Sequence, residues 1–579
     1  MKQNTITTYL IILIFLLLGK NLKAQDIEAI TKAPWLNVSG GISINQVHYS
    51  QWGQYSKKDP YTYYVNSNIN TSILGVVNMP VSFSYSNADF GYSASRPFNR
   101  FSLSPSYKNI KTYIGYSSLT FSPYTLSAHE FLGGGVEVSF KNKIKLTTLY
   151  GRFVKAIEPD SLNNYNPTYK RMGFGFKSEI KGKKLDLDLT LFTAKDDENS
   201  VNKKLISDTT TIKPKSNTAI EISTKIKFIK NLYLETSFSF SALNDDSRDK
   251  RIDGNGITSL IFKPTSSVAY YKAIKSSLNY TLSNGSIGCS YEKTDPEYKT
   301  LGAYYFTNDF ENIALNVNSS ILKKKVNVSG SIGIQKDNIE NQKSASSKRI
   351  SSSINTQINA TKKLRLSISY SNLQSYSYIK PILQDITSHT NFENLDTLNF
   401  TQINQTINSN LNYMLSSSKT KIQNLNFNFS YQQAADQQGD NKKTIANKMY
   451  NTVGTYSFSH TPSKASFTLS SNHNYNELKE FTSQMFGVNL SAKKSFFKRK
   501  LKTTLSSGFA NSYSDNKKIN TILNIRLNNS YTLKKKHNFS LNITYINNKS
   551  KTRKFSELSF NMSYSFNFGF SIKRKNKKV

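Results

Sequence analysis

The sequence predicts an all-β protein, a single large antiparallel transmembrane β-barrel of about 24 to 26 strands with short periplasmic turns and long extracellular loops. Three observations predict it. An apolar leader opens the chain, an apolar/polar alternation of period two recurs from Trp35 onward, and the connections between alternating segments are by turns short and long.

The leader comes first. Lys2 gives a charged start, Tyr9 to Leu18 form an apolar run, and Ala24 precedes Gln25 at a small-residue cleavage point. That is the layout of a secretory signal peptide, and the run is about half the ~20 apolar residues a spanning helix needs. The chain therefore divides into a signal peptide (1–24), a short periplasmic segment (25–34), the barrel (35–572) and a basic periplasmic tail (573–579). No later stretch reaches spanning-helix length. One texture, with 13 prolines and no linker, replaces the succession of domains expected of a soluble chain this long.

The strands follow. Leu425, Phe427, Phe429 and Tyr431 alternate with Asn424, Asn426, Asn428 and Ser430. Successive strand residues point to opposite faces, so one face is apolar and the other wet. Leu364 to Tyr370 and Phe539 to Tyr545 repeat the pattern. In the last strand Phe560, Tyr564, Phe566, Phe568 and Phe570 share one aromatic face. One such segment fits any half-buried sheet, but segments of about 11 to 17 residues recurring along the whole chain fit tilted strands that cross a bilayer. Hydrocarbon requires every backbone amide to be paired, which only a closed barrel does for β-structure.

The turns set the orientation. Short connections at Lys141 to Lys145, Lys181 to Lys184, Lys323 to Lys325 and Lys534 to Lys536 alternate with long ones at 196–217, 244–264, 378–398 and 435–447. Barrels of this kind keep short turns in the periplasm, which places both termini there and makes the strand number even. The formal charge of +39 includes Lys2, Lys20 and Lys23 of the leader, and nearly all the remaining excess lies on the side with the short turns. Lys141, Lys143, Lys323, Lys324, Lys325, Lys498, Arg499, Lys500, Lys534, Lys535, Lys536, Lys573 and Arg574 form a basic periplasmic rim, suited to outer-membrane lipid headgroups or to an acidic periplasmic partner. Cations at strand ends form no base-stacking groove, so nucleic acid is not an expected partner.

No constellation for catalysis emerges, and the chain is not expected to be an enzyme. The six histidines (His48, His129, His389, His460, His473, His537) lack metal-ligand spacing, and Cys289, the sole cysteine, permits neither an intramolecular disulfide nor a thiolate cluster. No cofactor and no metal are expected. Asp196, Asp197 and Glu198, then Asp245, Asp246, Asp249 and Asp253, read as solvated loop charge because the ligand order of a calcium loop is missing. Gly133 to Gly135 lack the strand-to-helix context of a phosphate loop and read as a place where a strand bends or another backbone comes close.

With this leader, this alternation and the aromatic strand ending at Phe570, the chain resembles the large outer-membrane β-barrels of Bacteroidota, which are Gram-negative. Its closing strand is similar to the signal read by the barrel-assembly machinery. The stretch Phe121-Ser122-Pro123-Tyr124-Thr125-Leu126 looks like a segment specific to one group of such barrels. The strand number is similar to that of TonB-dependent transporters, although no plug domain precedes the barrel. The resemblance and the polar interior imply a porin-like conduit for polar solutes, gated by loops or by a plugging protein. The alternative is a non-transporting scaffold or surface-interaction component of an outer-membrane complex. An interior of Ser, Asn and Thr predicts no sorting by charge.

Overall fold

The computed structural model describes residues 33–53, 59–87, 99–141, 143–158, 167–202, 212–252, 262–304, 308–340, 348–372, 403–434, 447–478, 480–550 and 554–573. The leader, Arg574, His389, Asp253 and the long connections 378–398 and 435–446 lie outside the described residues.

Every described element is a strand. The first are β1 (Leu36–Gly53), β2 (Tyr61–Ile73), β3 (Val77–Ser86), β4 (Arg100–Leu103), β5 (Ser106–Tyr107), β6 (Ile110–Ser118) and β7 (Glu130–Phe140). Next come β8 (Ile144–Val154), β9 (Lys170–Lys181), β10 (Leu185–Asp197), β11 (Ser216–Ile229), β12 (Leu232–Asn244), β13 (Val268–Leu282) and β14 (Gly285–Thr294). They are followed by β15 (Phe310–Ile321), β16 (Val326–Asp337), β17 (Lys348–Asn359), β18 (Leu364–Asn372), β19 (Ile403–Ser417), β20 (Lys421–Ala434) and β21 (Asn447–His460). The wall ends with β22 (Ala465–Glu477), β23 (Thr482–Phe496), β24 (Leu501–Ser514), β25 (Lys517–Leu533), β26 (His537–Ser550) and β27 (Lys554–Ile572).

All ladders between the named strands are antiparallel, and apart from the β4–β5 break and the closing pair they join sequence neighbours. β4 and β5 are two pieces of one crossing, since both pair with β3 on one side and β6 on the other, so the wall has 26 crossings. Pro105 explains the break, because proline cannot donate to the ladder. The carbonyls on either side still find donors: Ser104 N binds Pro80 O and Thr112 N binds Pro105 O. β27 returns to β1 in continuous register from Leu36↔Ile572 to Gly53↔Phe555, which closes the barrel and leaves no edge.

The alternation read in the sequence sorts as expected. Leu425 and Phe427 are exposed on the outer face, and Met562 and Phe570 of β27 are outward too. Asn410, Asn426 and Asn428 face the lumen, where they bond to one another. No helix among the described residues is long and apolar enough to cross a membrane, which says nothing of strands.

The end of the barrel that carries Leu36 and Ile572 has only short connections; the other end carries the long ones, together with short ones such as 515–516 between β24 and β25. Several short turns hold non-glycine residues at positive φ: Leu322, Lys323 and Lys324 in one, Phe497, Lys498 and Arg499 in another. Left-handed backbone costs an L-residue about 1 kcal/mol or more. Arg499→Gly, at φ 69°, is therefore expected to stabilise the barrel by up to about 1 kcal/mol, measured as a raised urea midpoint.

Candidate functional site

The lumen is not uniformly lined. On β19 to β27 the inward rows are mostly Asn, Ser and Thr, with Arg526 between Ser506 and Thr544 on the neighbouring strands. On β7 to β14 the wall carries charge. Lys145 bridges Glu137 and Glu179, Lys227 meets Asp186 at 2.7 Å, Lys225 meets Glu235 at 2.6 Å and Lys275 meets Glu292 at 2.9 Å. The expectation of an interior without sorting by charge is corrected here: charged and neutral arcs face one another, because acidic and basic inward positions share neighbouring strands in the first half of the chain.

Above this charged arc sits a ledge, built by two connections from the long-loop end that fold into the lumen. The first, residues 119–129 between β6 and β7, contains the segment singled out in the sequence. It closes on itself through Phe121 N to Leu126 O (2.8 Å) and Tyr124 N to Ser122 Oγ (3.2 Å). Its side chains dock on the wall. Ser122 Oγ donates to Glu221, which also accepts from Ser239 Oγ (2.6 Å) and Ser223 Oγ (2.9 Å). Tyr124 donates its hydroxyl to Glu292 at 2.6 Å, and Lys177 Nζ donates to Phe121 O at 3.0 Å.

The second connection, residues 295–304, lies over the first. Tyr298 donates to Tyr124 O (2.8 Å), Thr300 Oγ1 to Thr125 O (3.1 Å) and Ser127 N to Gly302 O (3.0 Å). Asn217 on β11 fastens it to the wall: its Oδ1 accepts from Leu301 N, and its Nδ2 donates to Ser241 Oγ and Ala242 O. Such complete pairing is what a buried amide needs.

Beneath the ledge is an apolar core inside the barrel. Phe121 and Leu126 pack on the inward side chains Phe131, Leu149, Phe153, Phe192 and Ala194. His129 belongs to the same packing, stacked on Tyr304 with centroids 3.9 Å apart and set edge-on to Phe153. Glycines make room. A Cβ at Gly175 would come within 2.8 Å of the Phe121 ring, and one at Gly173 within 2.6 Å of the Phe153 ring. Gly133, from the run flagged in the sequence, would place a Cβ 2.1 Å from Tyr150 O, the close backbone approach anticipated there. Gly175→Val is accordingly expected to displace the ledge without removing any hydrogen-bonding group, read as faster chymotrypsin cleavage at Phe121 or Tyr124.

Burial first, then the neighbouring Glu292 carboxylate, pushes the Tyr124 hydroxyl above its ordinary value near 10, and burial does the same to Tyr298. A raised folded-state value means the contribution is complete below the unfolded value and lost as pH rises past it. The ledge should stay docked through neutral pH and loosen only above pH ~10, which protease sensitivity against pH would show.

The reading of the acidic clusters as solvated loop charge is corrected for four of their members: Asp196 and Asp197 belong to β10, Asp196 is buried, and both they and Asp245 and Asp246 are ion-paired because basic side chains on adjoining segments face them. Arg171 forks onto Asp196, Lys170 meets Asp197 at 2.7 Å, Lys215 meets Asp245 at 2.6 Å, and Arg248 meets Asp246 at 2.7 Å. The hydrogen bonds from Lys215 and Arg248 hold the Asp245 and Asp246 carboxyls below the usual range. No group of side chains able to hold a metal occurs among the described residues.

The predicted rim residues Lys141, Lys143, Lys323, Lys324, Lys325, Lys498, Arg499, Lys500, Lys534, Lys535, Lys536 and Lys573 fall at the short-turn end, spread around the wall. The aromatic row of β27 lies on the outer face along the closing seam, with Ile42 opposite Phe566 and Ile44 opposite Tyr564. Neither set touches the ledge. Glu221, Glu292, Asn217 and Lys177 went unnoticed in the sequence. Their one signal is that Phe131, Leu149 and Phe153 put apolar side chains on a row that should be wet.

No family model matches this chain, and no curated relative does. Solved structures resemble it in part. The P pilus usher PapC translocation pore aligns over 93% of this chain and 99% of its own at 10% identity and TM-score 0.38. The siderophore receptor PirA from Pseudomonas aeruginosa aligns over 93% and 81% at 9% identity and TM-score 0.35. A mutant porin of Rh. blastica covers 52% of this chain and 94% of its own at 11% identity and TM-score 0.26. At TM-scores this low the likenesses carry no argument, and the assignment to large closed β-barrels stands on the strand pairing itself.

Proposed function

We propose that this protein is an integral barrel of the bacterial outer membrane that conducts polar solutes, with the short-turn end in the periplasm. The observation that carries the reading is the closed 26-crossing wall with an apolar outer face and a hydrogen-bonding inner one. Barrels of about 16 to 18 strands already enclose an aqueous channel, so a wall this large encloses more lumen than side chains alone can fill. The ledge narrows that lumen from the long-loop end, and the opposed charged and Asn-rich arcs suit zwitterionic or neutral polar solutes over apolar ones.

The ledge also favours a second reading. A barrel with a core built inside it is stiffened for scaffolding, its loops or basic rim then serving an acidic or plugging protein. Planar-bilayer recording of the purified chain separates the two. Discrete conductance steps support the conduit; bilayers as silent as protein-free ones, under conditions where the barrel is inserted, reject it in favour of the scaffold.

A further inference from the structure

We infer that the short-turn rim is a collar for anionic phospholipid headgroups, a property of the leaflet that rim meets. The inference rests on the membrane-spanning reading above. Three features of the rim point to it.

The first is unspent charge. At the long-loop end several cations are committed: Arg171, Lys170, Lys215 and Arg248 each hold an aspartate. In the turns 322–325, 497–500 and 534–536 the side chains are exposed, and no Lys or Arg makes an ion pair among the described residues. Basic residues at a membrane surface without protein partners attract anionic lipid.

The second is the company they keep. Leu322 is 70% exposed immediately before Lys323, and Phe497 is 71% exposed immediately before Lys498. Leu533 precedes Lys534, and Ile229, 61% exposed, precedes Lys230. In these four turns an exposed apolar side chain, in the last ladder pair (Ile229, Leu533) or just past it (Leu322, Phe497), is followed by a cation, which matches the boundary between acyl chains and headgroups. An acidic polypeptide would satisfy the charge but not the apolar partner in these four turns.

The third is distribution. The basic turns recur around the whole circumference, from 141–143 to 534–536, as an annulus of lipid requires. A protein partner would call for a patch.

The chain supplies its own depth gauge. Its two tryptophans, Trp35 and Trp52, flank and end β1, one at each rim, and both are about half exposed. Trp35 lies on the short-turn rim: its carbonyl accepts from Leu74 N in the turn after β2, and its neighbour Leu36 pairs with Ile572, which Lys573 follows. The experiment reconstitutes full-length Trp52→Phe, leaving Trp35 as reporter, and full-length Trp35→Phe, leaving Trp52. Vesicles mix phosphatidylcholine and phosphatidylglycerol, with one or the other brominated as quencher.

The expected result is that Trp35 associates with brominated phosphatidylglycerol about five-fold over brominated phosphatidylcholine at low salt. Trp52 should show no such preference. The preference should collapse toward one when Lys108, Lys534, Lys535, Lys536, Lys573 and Arg574 are all changed to Gln, and at high salt in the unaltered turns, which covers a Gln variant that fails to fold. Equal quenching of Trp35 by both lipids, or a preference that survives Gln substitution and salt, overturns the collar. So does its absence together with tight binding of poly-glutamate to the detergent-solubilised barrel, which assigns the rim to an acidic polypeptide. Quenching of neither tryptophan by either lipid overturns the membrane-spanning reading itself.

Discussion

Replacing Leu119 to His129 by an Asn-Gly turn is expected to enlarge single-channel conductance, about doubling it if the ledge is the narrowest point. Ser118 and Glu130 are ladder partners, so a two-residue turn closes the hairpin without disturbing β6 or β7. The deletion removes Phe121, Tyr124 and Leu126 from the lumen and the acceptors on which Tyr298 and Thr300 close. It also uncovers Phe131, Leu149, Phe153 and Phe192 to water. At roughly 1.5 to 3 kcal/mol for each large apolar side chain, the folded barrel should lose stability of the order of 5 kcal/mol. Larger steps together with a lower denaturation midpoint is the expected pair of results. Unchanged steps in a folded variant would mean that the path runs along the Asn-rich arc and that the ledge is only structural.

Glu221→Gln is expected to have the second largest effect. The carboxylate gathers hydroxyl donors from three sources: the ledge through Ser122, its own strand through Ser223 and the next strand through Ser239. Ser122 and Ser239 share one oxygen. A carboxamide offers a single acceptor, so at least one of these donors meets an N–H instead. Hydrogen bonds to a charged group contribute about 1.5 to 3 kcal/mol, and a buried donor left unmatched costs a similar amount. A loss near 3 kcal/mol raises the open fraction of the ledge about a hundred-fold. Chymotrypsin cleavage at Tyr124 in the folded barrel measures that fraction. Cleavage no faster than in the parent would show that the apolar packing alone holds the ledge.

The barrel itself was legible because its cause is local. Asn424 to Tyr431 need only a water-facing and an oil-facing side to fix both their conformation and their register, and repetition along the chain supplied the rest. The ledge was only half legible. Phe121 to Leu126 stood out as a segment, but its partners Glu221 and Glu292 lie roughly 100 and 170 residues further on, at spacings that no period announces. Glu221 sits among Thr, Ser and Ala in a strand that otherwise alternates normally, so nothing local separates it from lumen lining. The charged arc escaped for a related reason. Lys145 and Glu179 become neighbours only when β8 and β9 are laid side by side.

The seam between β1 and β27 carries a kinetic consequence. Its contacts join residues more than 500 positions apart, as in the bond from Ser571 to Asn37, so its loop-closure entropy falls due last of all. Until β27 arrives, the chain is an open sheet with two long unsatisfied borders, each able to template a stranger. The full-length register of the seam erases both borders in one event. A truncation that removes only the closing strand should therefore yield aggregate rather than a smaller barrel, and assembly must keep the early strands apart for as long as the last takes to follow.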